Sequence, residues 1–199
     1  MVSQRGIRGG PADQELVSQV VGGDSAAFGR IVERYQDRIY NTVYRMVGSA
    51  EDTRDLVQDV FVKAYENLAG FRGNSSLYTW LFRIAVNTSL SHRRKRKEVR
   101  LVSPMGDADD ANPGGDGWAD PTSADPAAPL EAAETEATVQ RALSQLDDEH
   151  RAVVVLRDIQ HCDYREIARI LGIARGTVKS RLHRARLTLR EKLQPLLNA

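Results

Sequence analysis

The feature that most constrains this chain is residues 163–193, which have the pattern of two helices packed across a tight turn. Asp163 followed three residues later by Glu166 is typical of a capping box at a helix start. Gly172 is placed to end that helix. Beyond the turn, apolar residues recur at steps of three or four, which predicts a second helix with one buried stripe: Val178, Leu182, Ala185, Leu189 and Leu193.

The second helix of this pair carries a basic surface near its start. Arg175, Lys179, Ser180, His183 and Arg184 share one face by their spacing. Between Arg165 and Lys192 there are nine Lys or Arg residues against two acids. A basic helix-turn-helix places its second helix in the DNA major groove, where Arg and Lys read guanine. A solvated basic surface helix is the alternative. The helix cap, the turn glycine, the apolar stripe and the basic face occur together, however, and this combination favours DNA binding.

Charge is distributed unevenly, although the net charge is only +1. Residues 1–100 carry 16 basic and 11 acidic residues, residues 101–140 carry nine acids and no base, and residues 141–199 carry 12 bases and seven acids. Residues 101–130 hold five of the seven prolines without apolar periodicity, as in a flexible acidic linker. We therefore expect a disordered amino terminus (1–12), two helical modules (13–100 and 131–199) and independent movement of those modules when free.

Several classes of protein are disfavoured by composition. The single cysteine, Cys162, excludes an internal disulfide, and no Cys/His cluster suits zinc. The longest apolar run, Ala152 to Leu156, is far too short for a membrane span, and the first dozen residues lack the apolar core of a signal peptide. We expect a cytoplasmic protein without metal, cofactor or membrane insertion.

The first module reads as helical throughout, and no strand signal occurs in the chain, so the predicted fold class is all-α. One predicted helix begins at Ser49 and ends near Leu68. Its spacing places Asp52, Asp55, Gln58 and Asp59 on one acidic face. That face fits either plain solvation or a basic protein partner, and spacing alone does not decide.

A polar loop, residues 71–76 (FRGNSS), precedes a helix that ends in the basic run HRRKRK, residues 92–97. Five adjacent cations repel each other unless an anion lies beside them, so phosphate is a natural partner. The alternative is that this basic run is simply solvated. For Tyr78 and Trp80, core packing and stacking against unpaired bases are both open.

Three segments together resemble the small extracytoplasmic-function (ECF) sigma factors of bacterial RNA polymerase. They are DLVQDVFVKAY (55–65), FRGNSSLYTWLFRIAVN (71–87) and REIARILGIARGTVKSRLHRAR (165–186), which look like that family's region 2 and region 4 signatures in the right order. The resemblance implies two small helical domains: a region 2 bundle and a region 4 helix-turn-helix. It implies promoter-specific transcription initiation, often in stress responses, by a protein that directs an enzyme without being one.

The resemblance also implies partners and site residues. Core RNA polymerase would be bound through the clamp helices of its largest subunit and the flap of its second-largest subunit, and an anti-sigma factor is expected as a restraining partner. The implied polymerase contacts are Asp55, Gln58 and Asp59. The implied contacts to the minus-ten promoter DNA are Arg72, Asn74, Ser75, Tyr78, Trp80, Asn87, Arg93 and Arg94. The implied contacts to the minus-thirty-five DNA are Arg175, Thr177, Lys179, Ser180, His183 and Arg184.

Two other functions compete with this one. An autonomous helix-turn-helix regulator that acts without polymerase is the runner-up, and a site-specific recombinase is the third possibility. A response regulator needs a phosphoacceptor domain of alternating strands and helices, and a serine recombinase needs a strand-rich catalytic domain. The all-helical first half offers neither.

Overall fold

The computed structural model describes residues 11–102 and 128–197, and the regular structure in those ranges is helical, as predicted. The expected linker, residues 101–130, and the expected disordered amino terminus, residues 1–12, fall almost wholly outside the described residues. No helix in the described ranges is both long enough and apolar enough to cross a membrane.

Four helices form the amino-terminal module and four form the carboxy-terminal module. The first four are α1 (Pro11–Val21), α2 (Ser25–Val47), α3 (Ala50–Asn67) and α4 (Leu77–Val102), with a 3-10 turn at Leu68–Gly70 after α3. The second four are α5 (Ala128–Ser144), α6 (Asp148–Val154), α7 (Tyr164–Leu171) and α8 (Arg175–Leu197), with a π-helical turn at Val155–Ile159 after α6.

Local sequence explains most helix ends. Asp24 caps α2 by accepting from two backbone N–H groups, and Ser49 caps α3 through the N–H of Asp52 at 3.2 Å. Asp163 and Glu166 form the predicted capping box of α7. Gly172 ends α7 with a positive φ of 67°, a left-handed conformation that glycine adopts without steric cost.

One apolar core runs through both modules, which differs from the expected independence of the two. α4 packs against α7, and α2 packs against α5, α6 and the π-helical turn. Tyr78 of α4, Leu156 of the π-helical turn and Ile167 of α7 are all fully buried in this core. We call this contact between α1–α4 and α5–α8 the seam. It forms because both modules present apolar side chains whose exposure to water is unfavourable.

A buried cation, Arg151 of α6, joins the two modules. It is 1% exposed, and its guanidinium donates to the carbonyl oxygen of Met46, at the end of α2, at 2.7 Å. It also donates to three carbonyls at and just after the end of α5: Leu143 at 2.8 Å, Ser144 at 2.8 Å and Leu146 at 3.1 Å. Burial, followed by the nearby charge of Arg93, lowers the pKa of Arg151 to about 10, so it stays protonated at neutral pH.

Replacing Arg151 by Met should therefore destabilise the whole chain. Four carbonyls at the junction of the modules would each lose a hydrogen bond from a charged donor, and we expect the free energy of unfolding to fall by about 3 kcal/mol or more. Urea denaturation followed by circular dichroism measures this. Arg141→Met, at an exposed position of α5, is the matched control and should change the free energy by less than about 0.5 kcal/mol. A loss at Arg151 as small as that of the control would contradict this role.

Candidate nucleic-acid interface

The outer face of α3 carries the three residues that the resemblance assigns to polymerase. Asp55, Gln58 and Asp59 are all exposed, while Leu56 and Val60 on the opposite side are buried. Spacing of three and four residues explains this division. The structure thus leaves both carboxylates and the amide available to a partner.

Asp52 does not belong to that exposed face, contrary to the expectation from spacing. It is half-buried, and its carboxylate accepts from Arg96 of α4 at 2.7 Å. The ring of His92 lies 3.4 Å from the same oxygen. The reason is that α3 packs against α4, whose basic side chains draw Asp52 inward.

Two large apolar side chains extend the exposed face of α3 towards its carboxyl end. Val62 is 49% exposed and Tyr65 is 50% exposed. The Tyr65 ring contacts Phe28 of α2 edge-on, with ring centroids 5.0 Å apart. Sequence analysis did not single out these residues, although Val62 continues the Asp55, Gln58, Asp59 stripe at the next turn.

The loop before α4 holds its polar side chains outward. Arg72 and Asn74 are exposed and Ser75 is half-buried. Gly73 between them has a φ of 68°, a value at which a side chain would be strained. Ser76 caps α4 by accepting from the N–H of Thr79 at 3.1 Å. This cap fixes the loop relative to the helix that follows it.

An open cleft of about 450 Å³ lies between α3 and α4. Its apolar wall includes Trp80, which is half-buried and packs against Phe71 with ring centroids 5.4 Å apart. Its polar groups include Asn87, which the resemblance assigns to DNA, and Lys63, which sequence analysis missed. The full lining is Lys63, Asn67, Trp80, Ile84, Asn87, Thr88 and Ser91. A flat apolar wall with amide, hydroxyl and ammonium groups suits an unpaired base.

Tyr78 lies away from this cleft and is fully buried at the seam. Its hydroxyl is 3.2 Å from the sulfur of Cys162, and it accepts from Arg38 at 3.1 Å. The Arg38 guanidinium also lies over the Tyr78 ring, 4.6 Å from its centroid. Burial, and then Cys162, raise the pKa of Tyr78 above its ordinary value. In this arrangement its ring does not face solvent, so of the two aromatics only Trp80 reaches the cleft.

The basic run at the end of α4 is partly neutralised within the chain. Arg93 and Lys97 both bind Asp148 of α6, at 2.5 Å and 2.9 Å, and Arg96 binds Asp52. Arg94, in contrast, is exposed. Sequence analysis expected an anion beside these cations, and the structure supplies two carboxylates from the protein itself.

The second helix of the helix-turn-helix, α8, has the first part of its predicted apolar stripe inside: Val178, Leu182 and Ala185 are buried. The last two residues of that stripe, Leu189 and Leu193, are only half-buried. The residues that the resemblance assigns to DNA lie on the opposite side. Thr177 is half-buried, whereas the other five are exposed: Arg175, Lys179, Ser180, His183 and Arg184. The basic face is therefore open along the first three turns of the helix.

Two further arginines of α8 are held by acids of the same module. Arg181 binds Glu149 of α6 at 2.5 Å, and Arg186 binds Asp158. The hydrogen bond that Arg186 donates to Asp158 is the main cause that raises the pKa of Arg186. These pairs fix α8 against α6 and the π-helical turn, so that its basic face is presented by a rigid support.

Comparison with known families agrees with the division into two modules. Residues 31–99 match the family model of Sigma-70 region 2, and residues 136–189 match that of Sigma-70, region 4. The first range holds the exposed face of α3 and the cleft, and the second holds the basic face of α8.

Solved structures with the same fold include CnrH and a sigma factor. CnrH, solved in complex with the cytosolic domain of CnrY, superposes with a TM-score of 0.68 at 28% identity and covers 93% of this chain and 99% of its own. The sigma factor RpoE of Bartonella quintana, solved in complex with the anti-sigma factor NepR, superposes with a TM-score of 0.67 at 25% identity and covers 84% and 96%.

Characterised proteins are similar along nearly the whole chain. The ECF RNA polymerase sigma-E factor of Escherichia coli strain K12 is 39% identical over 185 residues, which are 93% of this chain and 96% of that protein. The ECF RNA polymerase sigma factor SigW of Bacillus subtilis is 38% identical over 186 residues, 92% of this chain and 97% of that protein. The chain therefore belongs to the ECF family of RNA polymerase sigma factors.

Proposed function

We propose that this protein directs promoter-specific initiation by binding core RNA polymerase through α3, the minus-ten strand through the cleft and α4, and the minus-thirty-five element through α8. The observation that carries the proposal is that the described helices present three chemically different surfaces. One is acidic and apolar, one is a base-sized cleft, and one is a basic helix face.

The polymerase surface combines charge with apolar contact. Asp55 and Asp59 supply carboxylates for basic residues of the clamp helices, and Val62 and Tyr65 supply exposed apolar area beside them. Interfaces obtain most of their affinity from a few buried aromatic and apolar anchors, while charges steer the encounter. Tyr65 is the residue that we expect to be the anchor.

The cleft is suited to an unpaired base of the melted minus-ten element. Trp80 offers a stacking wall, Asn87 an amide for a base edge, and Lys63 a cation near the backbone. Arg72, Asn74 and Ser75 of the preceding loop lie close to the start of α4 and would hold neighbouring nucleotides. Arg93 and Arg94 would contact phosphates. Tyr78 would join them only after the seam opens.

On α8, Lys179, Ser180, His183 and Arg184 would read base edges of the minus-thirty-five element in the major groove. Arg175 and Thr177, in its first turn, would position the helix on the backbone. The protein supplies binding and positioning, and the polymerase supplies the chemistry, in the cytoplasm where transcription occurs. An anti-sigma factor is the expected restraining partner, since the Bartonella RpoE was solved in complex with the anti-sigma factor NepR.

Reversing the charge of Asp55 and Asp59 to Lys should abolish binding to core polymerase and leave the fold intact. Both positions are exposed, and exposed changes seldom cost more than about 0.5 kcal/mol of stability. Co-purification with core enzyme measures the loss. Glu33→Lys with Asp37→Lys is the matched control, because it reverses two exposed carboxylates at the same spacing on α2. Normal core binding by the Asp55, Asp59 variant would refute the assignment of α3.

Replacing Asn87 by Ala should weaken binding to the single-stranded minus-ten sequence by about tenfold, the effect of one lost base-edge contact. It should also relax the preference for one base. Fluorescence anisotropy with a labelled oligonucleotide measures both effects. Asn41→Ala, an exposed asparagine of α2, is the control. Equal affinities of the wild type, Asn87→Ala and Asn41→Ala would mean that the strand binds at another site.

Replacing Arg184 and replacing Arg190 should weaken DNA binding in different ways. Arg184→Ala should cost about 1–3 kcal/mol on the cognate minus-thirty-five duplex and relax preference at one or two base pairs. Arg190→Ala should weaken binding to all sequences and lower the salt slope by about one, as expected for a phosphate contact. Binding to a randomised duplex at several salt concentrations distinguishes them. The reverse pattern would mean that the recognition face of α8 is assigned wrongly.

A further inference from the structure

The closed seam uses cations that DNA would also use. Asp148, the first residue of α6, accepts from Arg93 Nε at 2.5 Å through one oxygen and from Lys97 Nζ at 2.9 Å through the other. The side chains of Arg93 and Asp148 are only 19% and 21% exposed. Water and salt therefore screen this pair less than a surface ion pair. Arg93 also donates to the carbonyl of Met46 at 3.2 Å.

Other polar contacts hold α2 and α4 against the second module. Arg38 donates to the carbonyl of Gln160 at 3.2 Å and to its side-chain oxygen at 3.3 Å. Arg83, in the second turn of α4, donates through Nε to the carbonyl of Arg169 at 3.1 Å. Tyr78 faces Cys162 across the same contact. The seam thus covers one side of α4, the helix that is proposed to hold the minus-ten strand.

In the closed arrangement, α4 and α8 lie too close together for the protein to contact both promoter elements at once. Lys179 lies ten residues beyond Arg169, so it is no more than about 35 Å along the chain from the carbonyl that Arg83 binds. Two elements centred about 25 base pairs apart are separated by about 85 Å along B-DNA, at 3.4 Å per base pair. Reading both elements therefore requires that the seam opens.

We propose that Asp148 is an internal competitor of DNA phosphate: it holds Arg93 and Lys97 in the closed seam, so that minus-ten strand binding and seam closure exclude each other. The proposal rests on the proposed function of α4 and names how that same site is regulated. A phosphate that takes Arg93 leaves Asp148 half-buried without its main partner, which disfavours closure. Conversely, closure pairs Arg93 and Lys97 with Asp148 and keeps the Tyr78 ring buried, away from the strand.

The protonation state of Asp148 agrees with this role. Burial acts to raise the pKa of its carboxyl, but hydrogen bonds from Lys97 and Arg93 outweigh burial and lower the pKa below its usual value. The carboxylate is therefore charged at neutral pH.

The single cysteine of the chain reports directly on the seam. Cys162 is fully buried and faces Tyr78, so a thiol reagent reaches it only when this region opens. In the full-length protein, Asp148→Asn should speed the reaction of Cys162 with Ellman's reagent by about tenfold, as expected when a charge-assisted pair is lost. Asp37→Asn makes the same charge change on the exposed side of α2 and should leave the rate unchanged.

DNA binding provides the second measurement. Asp148→Asn should bind a short single-stranded oligonucleotide of the minus-ten sequence about tenfold more tightly than the wild type. By linkage, the same oligonucleotide should speed thiol labelling of the wild-type protein. An unchanged labelling rate in Asp148→Asn would overturn the proposal, and so would faster labelling without tighter DNA binding.

Two further experiments distinguish the possible reasons for a negative result. The exchanged pair Arg93→Asp with Asp148→Arg should restore slow labelling but not DNA affinity, which keeps the test valid if Asp148→Asn folds poorly. Fast labelling in the exchanged pair would contradict the proposal. Run-off transcription by the wild type with core enzyme tests the proposed function separately. A promoter-specific transcript with no labelling change in Asp148→Asn would reject only the competition.

Discussion

The structure depends on a buried guanidinium at the point where two helix ends meet. The carboxyl ends of α2 and α5 each leave carbonyls without helical partners and carry partial negative charge. Arg151 lies between them and donates to three carbonyls at these ends and to a fourth, that of Leu146, just after α5. A planar guanidinium with five N–H groups suits this arrangement better than an ammonium. One of the four carbonyls belongs to α2. Arg151 therefore satisfies the carboxyl end of α5 and also holds the second module on the first.

The placement of Arg151 determines what lies beside it. α6 starts only three residues earlier, so Asp148 is brought to the basic end of α4. Arg93 reaches both Asp148 and the carbonyl of Met46, the same carbonyl that Arg151 binds. The order of the helices therefore puts a carboxylate against cations that also suit phosphate. The stability of the closed form and the proposed affinity for the minus-ten strand therefore depend on the same side chains.

The three proposed surfaces differ in how far the closed form leaves them open. The face of α3 that begins at Asp55 and the face of α8 around Arg184 are exposed. On α4, the cleft with Trp80 and Asn87 is open, whereas Tyr78 and Arg93 belong to the seam. A partner that binds α3 or α8 thus needs no rearrangement of side chains, while full engagement of the strand does. This division follows from packing α7 against only one side of α4.

Sequence predicted the helices well because their ends are local. The caps at Ser49 and Asp163 and the turn at Gly172 depend on neighbouring backbone groups, and the stripe of α8 depends on a period of 3.6 residues. The exposed residues on α3 and α8 followed from the same period. The order of the three family signatures was sufficient to predict the family, since each is contained within one short segment.

Tertiary structure alone decided the rest, because those features join residues far apart in the chain. Nothing local predicts that Asp52 turns inward to Arg96, that Lys63 and Asn87 line one cleft, or that Cys162 meets Tyr78. The seam itself depends on which apolar faces remain uncovered after each module has formed, and a linear pattern does not pair such faces. Sequence therefore determined most of the exposed and buried faces of the helices, because these follow from a local period. Folding determined which partners the buried and charged side chains find, and with them the burial of Asp52 and Tyr78.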